Sequence, residues 1–327
     1  MLLNARALEA GWPQRSLTRA LRAQGWTPIR AGAWFEPGRA PDLVTRLRAE
    51  QLVKPGLVVS HGSAAALWRI EVLTPGGKPA GGPGGNPAGG PGGGPGGGPG
   101  GGPGGDPALE FTDPALTLRR EGAGVRVHRV RLTGEEVTER HGLRVTCALR
   151  TLADLVRTGP RDAALVALES ALGHRRVGHV RRAPLTSIDA ITAVLARPFP
   201  GAARARRWLT LCDPHAGSPA ETIARLHMLD AGLRPGTQVG LITPDGHRVI
   251  PDFLFRAKGL AVEIEGYAYH GTRDSHRRDV LRFNRIQGCP EVRRVLRYTA
   301  EDVFHRPAMV VAEIGQVLSE MPELLAT

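Results

Sequence analysis

Lysine is almost missing from this chain: Lys54, Lys78 and Lys258 are its only examples. The net charge of +12 and the pI near 10.9 are therefore carried almost wholly by arginine. A charge this far positive favours a polyanionic partner, of which nucleic acid is the commonest. An arginine-rich coding bias would produce the same balance. Cysteine is scarce as well. Cys147, Cys212 and Cys289 lie far apart and form no Cys-x-x-Cys pair, which argues against a disulfide framework or a zinc site and fits a reducing compartment. No apolar run reaches the ~18–20 residues that span a bilayer. Met1 to Ala10 lacks the basic start and apolar stretch of a signal peptide. A cytoplasmic protein with no membrane partner is expected.

The 327 residues leave room for two or three domains. Residues 75–107 are almost wholly Gly and Pro, with a Gly-Gly-Gly-Pro period of four in their later part. Collagen needs Gly at every third position, so a triple helix is excluded. Nothing in the stretch can bury apolar surface, and a disordered insertion is expected. Such a chain spans on the order of 30 Å between its ends.

Before the insertion, Leu2–Ala10 reads as a helix stopped at Gly11-Trp12-Pro13. Gln14–Gln24 reads as a second helix, with Leu17 and Leu21 on one face. Trp26–Phe35 reads as a hairpin turning at Gly32. Helix, turn, helix, hairpin is the order of a winged helix-turn-helix. Arg15, Arg19 and Arg22 would lie on its second helix and Arg30 near its wing, where they could meet DNA phosphates or base edges. Solvated arginines on a small helical domain are the alternative. Ser60 is a candidate cap for a helix that follows it.

After the insertion, Leu116–Leu118, Val125–Val130 and Leu143–Val145 read as strands of a small α/β module. His61, His128 and His141 read there as isolated packing or surface histidines. Arg161–Leu172 reads as a helix. Arg175-Arg176 and Arg181-Arg182 read as a charged linker or solvated face, with a phosphate-contacting surface as the alternative. The expected division is 1–74, the insertion 75–107, 108–200 and 201–327.

From Ala202 the pattern sharpens. Pro219–Asp230 reads as a helix capped by Ser218, with Pro219 at its first position and Glu221 completing a capping box. Thr237–Ile242, His247–Phe255 and Leu260–Glu265 read as three antiparallel strands. Ser275–Gln287 is a helix, Val292–Tyr298 a strand and Ala308–Leu318 a last helix. Alternation puts Glu263 and Glu265 on one face of their strand. A turn at Ala257-Lys258 sets Asp252 opposite Glu263, and a turn at Lys258-Gly259 sets it opposite Glu265. Either way three acids share a face, although like charges opposed on a sheet repel. A compensating cation is expected, and carboxylate oxygens suit Mg²⁺ or Mn²⁺ held by Asp252, Glu263 and Glu265. Solvated acids on an exposed sheet face are the alternative. His270, in the loop beyond, could move a proton near the metal. Arg278, Arg282 and Arg285 could grip phosphates, and Asp279 would pair with Arg282.

The segments SPAETIARL, VIPDFLF, AVEIEGYAYH, RRDVLRFNRIQG and VLRYTAEDV resemble, in order, the Vsr-like (very-short-patch-repair-like) endonuclease domain of the PD-(D/E)xK superfamily. The resemblance covers about the last 120 residues and implies a restriction-endonuclease-like core (αβββαβ). It marks Glu221, Asp252, Glu263 and Glu265 as the catalytic acids, His270 as the loop histidine, and Asp279 and Arg282 as the helix pair. The third motif here is Glu-Ile-Glu. The superfamily's lysine is absent at Glu265, where the subfamily usually has Asp. GWPQRSLTRALRAQGWTPIRAGAWFEPG, VVSHGSAAALW and GLRVTCALRTLADL are similar to the AbiEi-like antitoxin module of type IV toxin–antitoxin systems. That similarity implies a DNA-binding winged helix, a small α/β domain and a cognate toxin or partner protein. The expectation is an α/β (α+β) protein in which a DNA-binding module delivers a Mg²⁺-dependent DNA endonuclease. The alternative is an antitoxin-like transcriptional regulator with a degenerate nuclease fold.

Overall fold

The computed structural model describes residues 1–38, 40–74, 108–117, 120–122, 124–177, 180–266 and 273–324. The Gly/Pro stretch 75–107 and His270 lie outside them, and of Arg15 and Arg278 only the backbone is described. The chain is mixed α/β and divides into two compact units, residues 1–69 with 108–154 and residues 70–74 with 155–324. Among the described residues no helix is long and apolar enough to cross a membrane.

The first unit runs β1 (Leu2–Leu3), α1 (Asn4–Glu9), α2 (Gln14–Ala23), β2 (Thr27–Arg30), β3 (Ala33–Phe35), α3 (Leu43–Val53), β4 (Val58–Val59), α4 (His61–Trp68), β5 (Leu109–Thr112), β6 (Arg120–Gly122), β7 (Val125–His128), β8 (Val137–Arg140), β9 (Leu143–Thr146) and the first part of α5 (Ala148–Thr158), which continues into the second unit from Leu155. Leu17 and Leu21, one helical turn apart, pack with Ala7 against Trp34. Gly32 turns the β2–β3 hairpin at φ +92°. Leu2 and Leu3 were expected to be helical, but they pair with Trp34 and Ala33 as a third strand. That pairing adds an edge strand to the β2–β3 hairpin before α1 begins. The larger sheet, in the order β6-β7-β5-β4-β9-β8, buries Leu57, Val59, Phe111, Leu143 and Val145 against Leu47 of α3 and Leu67 of α4.

Two further local expectations fail in this unit. Ser60 stands at the N-cap of α4, but its hydroxyl is hydrogen-bonded to His61 Nδ1 at 2.9 Å and caps nothing. The Gly62 N–H is taken instead by Glu110 Oε2 at 2.7 Å. Leu116 and Thr117 form a turn, not a strand. Leu116 has φ +60°, and Asp113 accepts from the Ala115 and Thr117 N–H groups at 3.0 and 2.8 Å.

The second unit continues with α6 (Arg161–Leu172), β10 (Arg175–Val177), β11 (Val180–Arg182), α7 (Ile188–Ala196), α8 (Ala202–Leu209), α9 (Pro219–Asp230), β12 (Gly236–Thr237), β13 (Leu241–Ile242), β14 (Arg248–Val249), β15 (Phe253–Phe255), β16 (Leu260–Glu265), α10 (Arg273–Gln287), β17 (Arg294–Thr299), α11 (Ala300–His305) and α12 (Pro307–Glu320). Its main sheet has the order β12-β15-β16-β17, antiparallel except for the parallel β16–β17 pair. One face carries Phe253, Phe255, Leu260, Val262 and Ile264, covered by α9, α11 and α12. The other carries Leu254 and Ala261, covered by α10 and the β13–β14 hairpin through Ile286 and Val249.

The two strands expected over 237–242 and 247–255 are each broken. Gln238 takes φ +51°, and Pro251 has no N–H to give a ladder. The chain between these points leaves the main sheet and folds on itself as the β13–β14 hairpin, turning at Thr243–Gly246 with Gly246 at φ +81°. The basic stretch after α6 is not simply a solvated face. Hairpin alternation turns Arg176 and Arg181 outward and buries Arg175 and Arg182, at 5% and 9% exposure. Arg175 pairs with Glu71 at 3.1 Å, and Arg182 donates to the Ser170 carbonyl.

Candidate functional site

Helix α9 begins at Ser218, whose hydroxyl accepts from the Glu221 N–H at 3.2 Å. The reciprocal half of the expected capping box is displaced by one residue. Glu221 Oε2 accepts from the Gly217 N–H at 2.6 Å. A side chain at residue 217 would press on that carboxylate, because a Cβ there would lie 3.0 Å from Glu221 Oε1. The Glu221 carboxylate is thereby tied to the start of the helix, buried at 7% exposure.

The β15–β16 pairing fixes the second part of the site. Phe253 faces Val262 and Phe255 faces Leu260, so the next residues along the ladder are Asp252 and Glu263. This is the register of a turn at Ala257-Lys258. The Asp252 N–H donates to Glu263 Oε1 at 3.1 Å, and Asp252 Oδ2 accepts from the Ile264 N–H at 2.7 Å. Asp252 and Glu263 are 7% and 5% exposed. Gln238 joins them to Glu221. Its side-chain nitrogen donates to Glu221 Oε2 at 3.0 Å and to Asp252 Oδ1 at 3.2 Å.

Burial dominates the electrostatics. It pushes the Glu221 carboxyl up to about 7, with the Asp252 charge adding to the effect. Glu263 is likewise pushed up to about 7 by burial and then by Asp252. Asp252 is raised by burial, against the Ile264 N–H and the Arg282 charge, which pull it down. Two of the three buried acids, Glu263 and Asp252, thus share one guanidinium. Arg282 of α10 bonds Glu263, stands 3.6 Å from Asp252 and donates to the Ile250 carbonyl at 2.9 Å. The expected Asp279–Arg282 pair is not formed among the described contacts, because Arg282 turns inward to the acids while Asp279 is exposed.

The other expected site residues lie apart from this group. Glu265 shares the Glu263 face but pairs with Arg297, and Arg297 in turn stacks 4.8 Å over the Phe283 ring. Arg285 is exposed on α10, and Arg19 and Arg22 are exposed on α2. Arg30 is engaged by Glu50. Among the described residues, no three His, Cys, Asp or Glu side chains are grouped to hold a metal ion as they stand.

Gln238 was not foreseen, since an amide carries no charge-pattern signal; its only trace is its position between a strand and a Gly. Two of the three histidines read as isolated are not. His61 and His128 stack with ring centroids 3.5 Å apart, and His128 Nε2 lies 3.3 Å from Glu110 Oε1.

The chain is similar to two proteins of Mycobacterium tuberculosis. These are the uncharacterized protein MT2308 of strain CDC 1551 / Oshkosh and the uncharacterized protein Rv2248 of strain ATCC 25618 / H37Rv. Each is 27% identical over 212 residues, covering 64% of this chain and 74% of the relative. No family model matches the chain.

Proposed function

We propose that the second unit is a metal-dependent nuclease that hydrolyses DNA phosphodiester bonds, and that the first unit binds DNA and delivers it. The observation that carries the reading is the meeting of Glu221, Asp252 and Glu263, from three separate elements, around Gln238 and Arg282. Burying mutually repelling carboxylates costs stability without a cation to offset them. A structural role alone gives no reason to hold all three.

The donor set fits a hard divalent cation. Mg²⁺ needs only one or two carboxylates beside water and substrate phosphate, so a ready three-residue cage is not required. Asp252 and Glu263 would hold Mg²⁺ or Mn²⁺, with Glu221 completing the shell through water. Bound there, the ion would polarise the scissile phosphate and lower the pKa of an attacking water. The chain's own residues do the rest. Gln238 holds Glu221 and Asp252 together, the Ile264 N–H orients Asp252, and the half-exposed Arg282 offers donors to a phosphate. Glu265, engaged by Arg297, has no direct part, and His270 carries none of the proposal. The element order α9, β12–β15, β16, α10, β17 supports a restriction-endonuclease-like core. The order α1, α2, β2, β3, with Arg19 and Arg22 exposed, supports a winged helix.

Two observations favour a second reading, an antitoxin-like regulator with a degenerate nuclease fold and a partner toxin: Arg282 already engages Glu263 and Asp252, and residue 265 is not lysine. Nicking of supercoiled plasmid with Mg²⁺, Mn²⁺ or EDTA separates the two. Metal-dependent cleavage lost in Asp252→Asn supports the nuclease. Uncut plasmid, with protein that still retards DNA in a gel, supports the regulator.

A further inference from the structure

Beside the acids, on the face where α10 meets the β13–β14 hairpin, lies a cleft of about 410 Å³ lined by Arg248, Val249, Ile250, Leu281, Arg282 and Arg285. Three features of this cleft are not accounted for by the carboxylate cluster. Arg248 and Arg285 are exposed; among the described residues Arg248 forms no ion pair, and Arg285 has the fully exposed Asp245 carboxylate in its field. The Arg248 guanidinium folds back over Gly240, whose missing side chain leaves room for it: a Cβ there would stand 3.2 Å from Arg248 Nε. Leu281 is 46% exposed, an apolar side chain between arginines on a strongly basic helix.

These features specify a ligand. Exposed guanidiniums at a cleft recognise phosphate, because their planar donors match its oxygens. An apolar wall beside them recognises something flat or apolar attached to that phosphate. Small-molecule sites begin at a few hundred Å³, so this cleft has space for about one nucleotide. Arg282 belongs to both places, with one guanidinium edge on Glu263 and its side chain on the cleft wall.

We infer that this cleft is a single-nucleotide subsite for a nucleic-acid strand, with Arg248 and Arg285 holding a phosphate and Leu281 with Ile250 packing on the sugar or base. Its role in leading the strand to the acids rests on the nuclease reading above, but its binding does not require metal. Arg248 and Leu281 are then substrate-positioning residues.

The test is fluorescence anisotropy of a short labelled single-stranded oligonucleotide with the full-length chain in EDTA, across a salt series. The chain is compared with Arg248→Gln, Arg285→Gln and Leu281→Ser, each also placed on an Arg19→Gln/Arg22→Gln background that removes the exposed arginines of the first unit. All three positions are exposed, and thermal melting checks that each variant is folded. Arg248→Gln and Arg285→Gln are expected to weaken binding about five- to tenfold each and to reduce the salt slope by about one. Leu281→Ser is expected to weaken oligonucleotide binding and leave competition by inorganic phosphate unchanged. Unchanged affinity and slope in both arginine variants, or no binding by the parent chain, overturns the subsite. Affinity that follows inorganic phosphate alone, with Leu281→Ser silent, overturns the nucleotide assignment. The plasmid assay fails separately. Uncut plasmid with weakened variants removes the nuclease and keeps the subsite, and cut plasmid with unchanged variants does the reverse.

Discussion

The backbone N–H of Asp252 donates to the Glu263 carboxylate at 3.1 Å, so the residue that brings one negative charge also anchors the other. Asp252 then spends its own Oδ2 on the Ile264 N–H at 2.7 Å. Charge and hydrogen bonding at residue 252 can therefore be separated by substitution. Asp252→Asn keeps an acceptor for Ile264 and removes the charge. Its stability is expected to stay within about 1 kcal/mol of the parent, while Asp252→Ala, which strands the buried N–H, loses about 1–3 kcal/mol. Metal-dependent nicking should be lost in both. An active Asp252→Asn would remove residue 252 from the proposed metal site.

Arg282 is the guanidinium set against the buried Glu263 and Asp252, and its side chain is 46% exposed. Solvent screening limits its contribution to about 1 kcal/mol. Arg282→Gln is expected to lower the melting temperature of metal-free protein at pH 8. The loss should be smaller at pH 5, where Glu263, pushed up to about 7, is protonated and needs no counter-charge. Added Mg²⁺ should stabilise the variant more than the parent, because the competing cation is gone. Equal losses at both pH values would mean that Arg282 contributes packing and not charge.

Glu221 sets a pH dependence with a definite sign. Its carboxyl sits at about 7 in the folded chain against an ordinary value of 4.5. The folded state therefore keeps a proton that the unfolded state has released, and stability falls as pH rises between about 4.5 and about 7. Glu221→Gln removes the buried charge while its amide oxygen still accepts from Gly217. In urea denaturation with EDTA, the variant should exceed the parent by on the order of 1–3 kcal/mol at pH 8 and match it at pH 4. A variant less stable at pH 8 would show that the Gly217 and Gln238 contacts outweigh the desolvation of the charge.

Much of this unit was legible in the sequence. Ser218 and Pro219 fix where α9 begins, and alternation in LAVEIE orients Glu263. Turn arithmetic left two registers for Asp252, and the Ala257-Lys258 one is present. What was not legible depends on partners far away in the chain. The periodicity of 237–255 reads as two strands, and only Gln238 at positive φ and Pro251 without its N–H break them. Arg282 is one helical turn from Asp279 in sequence, so local reasoning pairs them; the uncompensated Glu263, nineteen positions away, competes more strongly. His61 and His128 come together only when β5 brings Glu110 between α4 and β7.

Helix α6 makes the same point through Glu169, which has no exposed surface. It accepts from Thr222 Oγ1 at 2.6 Å and the Asp213 N–H at 2.9 Å, and it pairs with the buried Arg225. Thr222 follows Glu221 directly, so this contact clamps the first turn of α9 from behind the site. Removing one partner of a buried ion pair leaves the other uncompensated, which costs about 3–5 kcal/mol. Glu169→Gln is therefore expected to lower the melting temperature sharply, although Gln is isosteric. Replacing both Glu169 and Arg225 by Met removes the stranded charge and should recover most of that loss. A double-mutant cycle by thermal melting reads this directly. If the double variant is as unstable as the sum of the singles, the two side chains stabilise α9 through their separate hydrogen bonds and not as a pair.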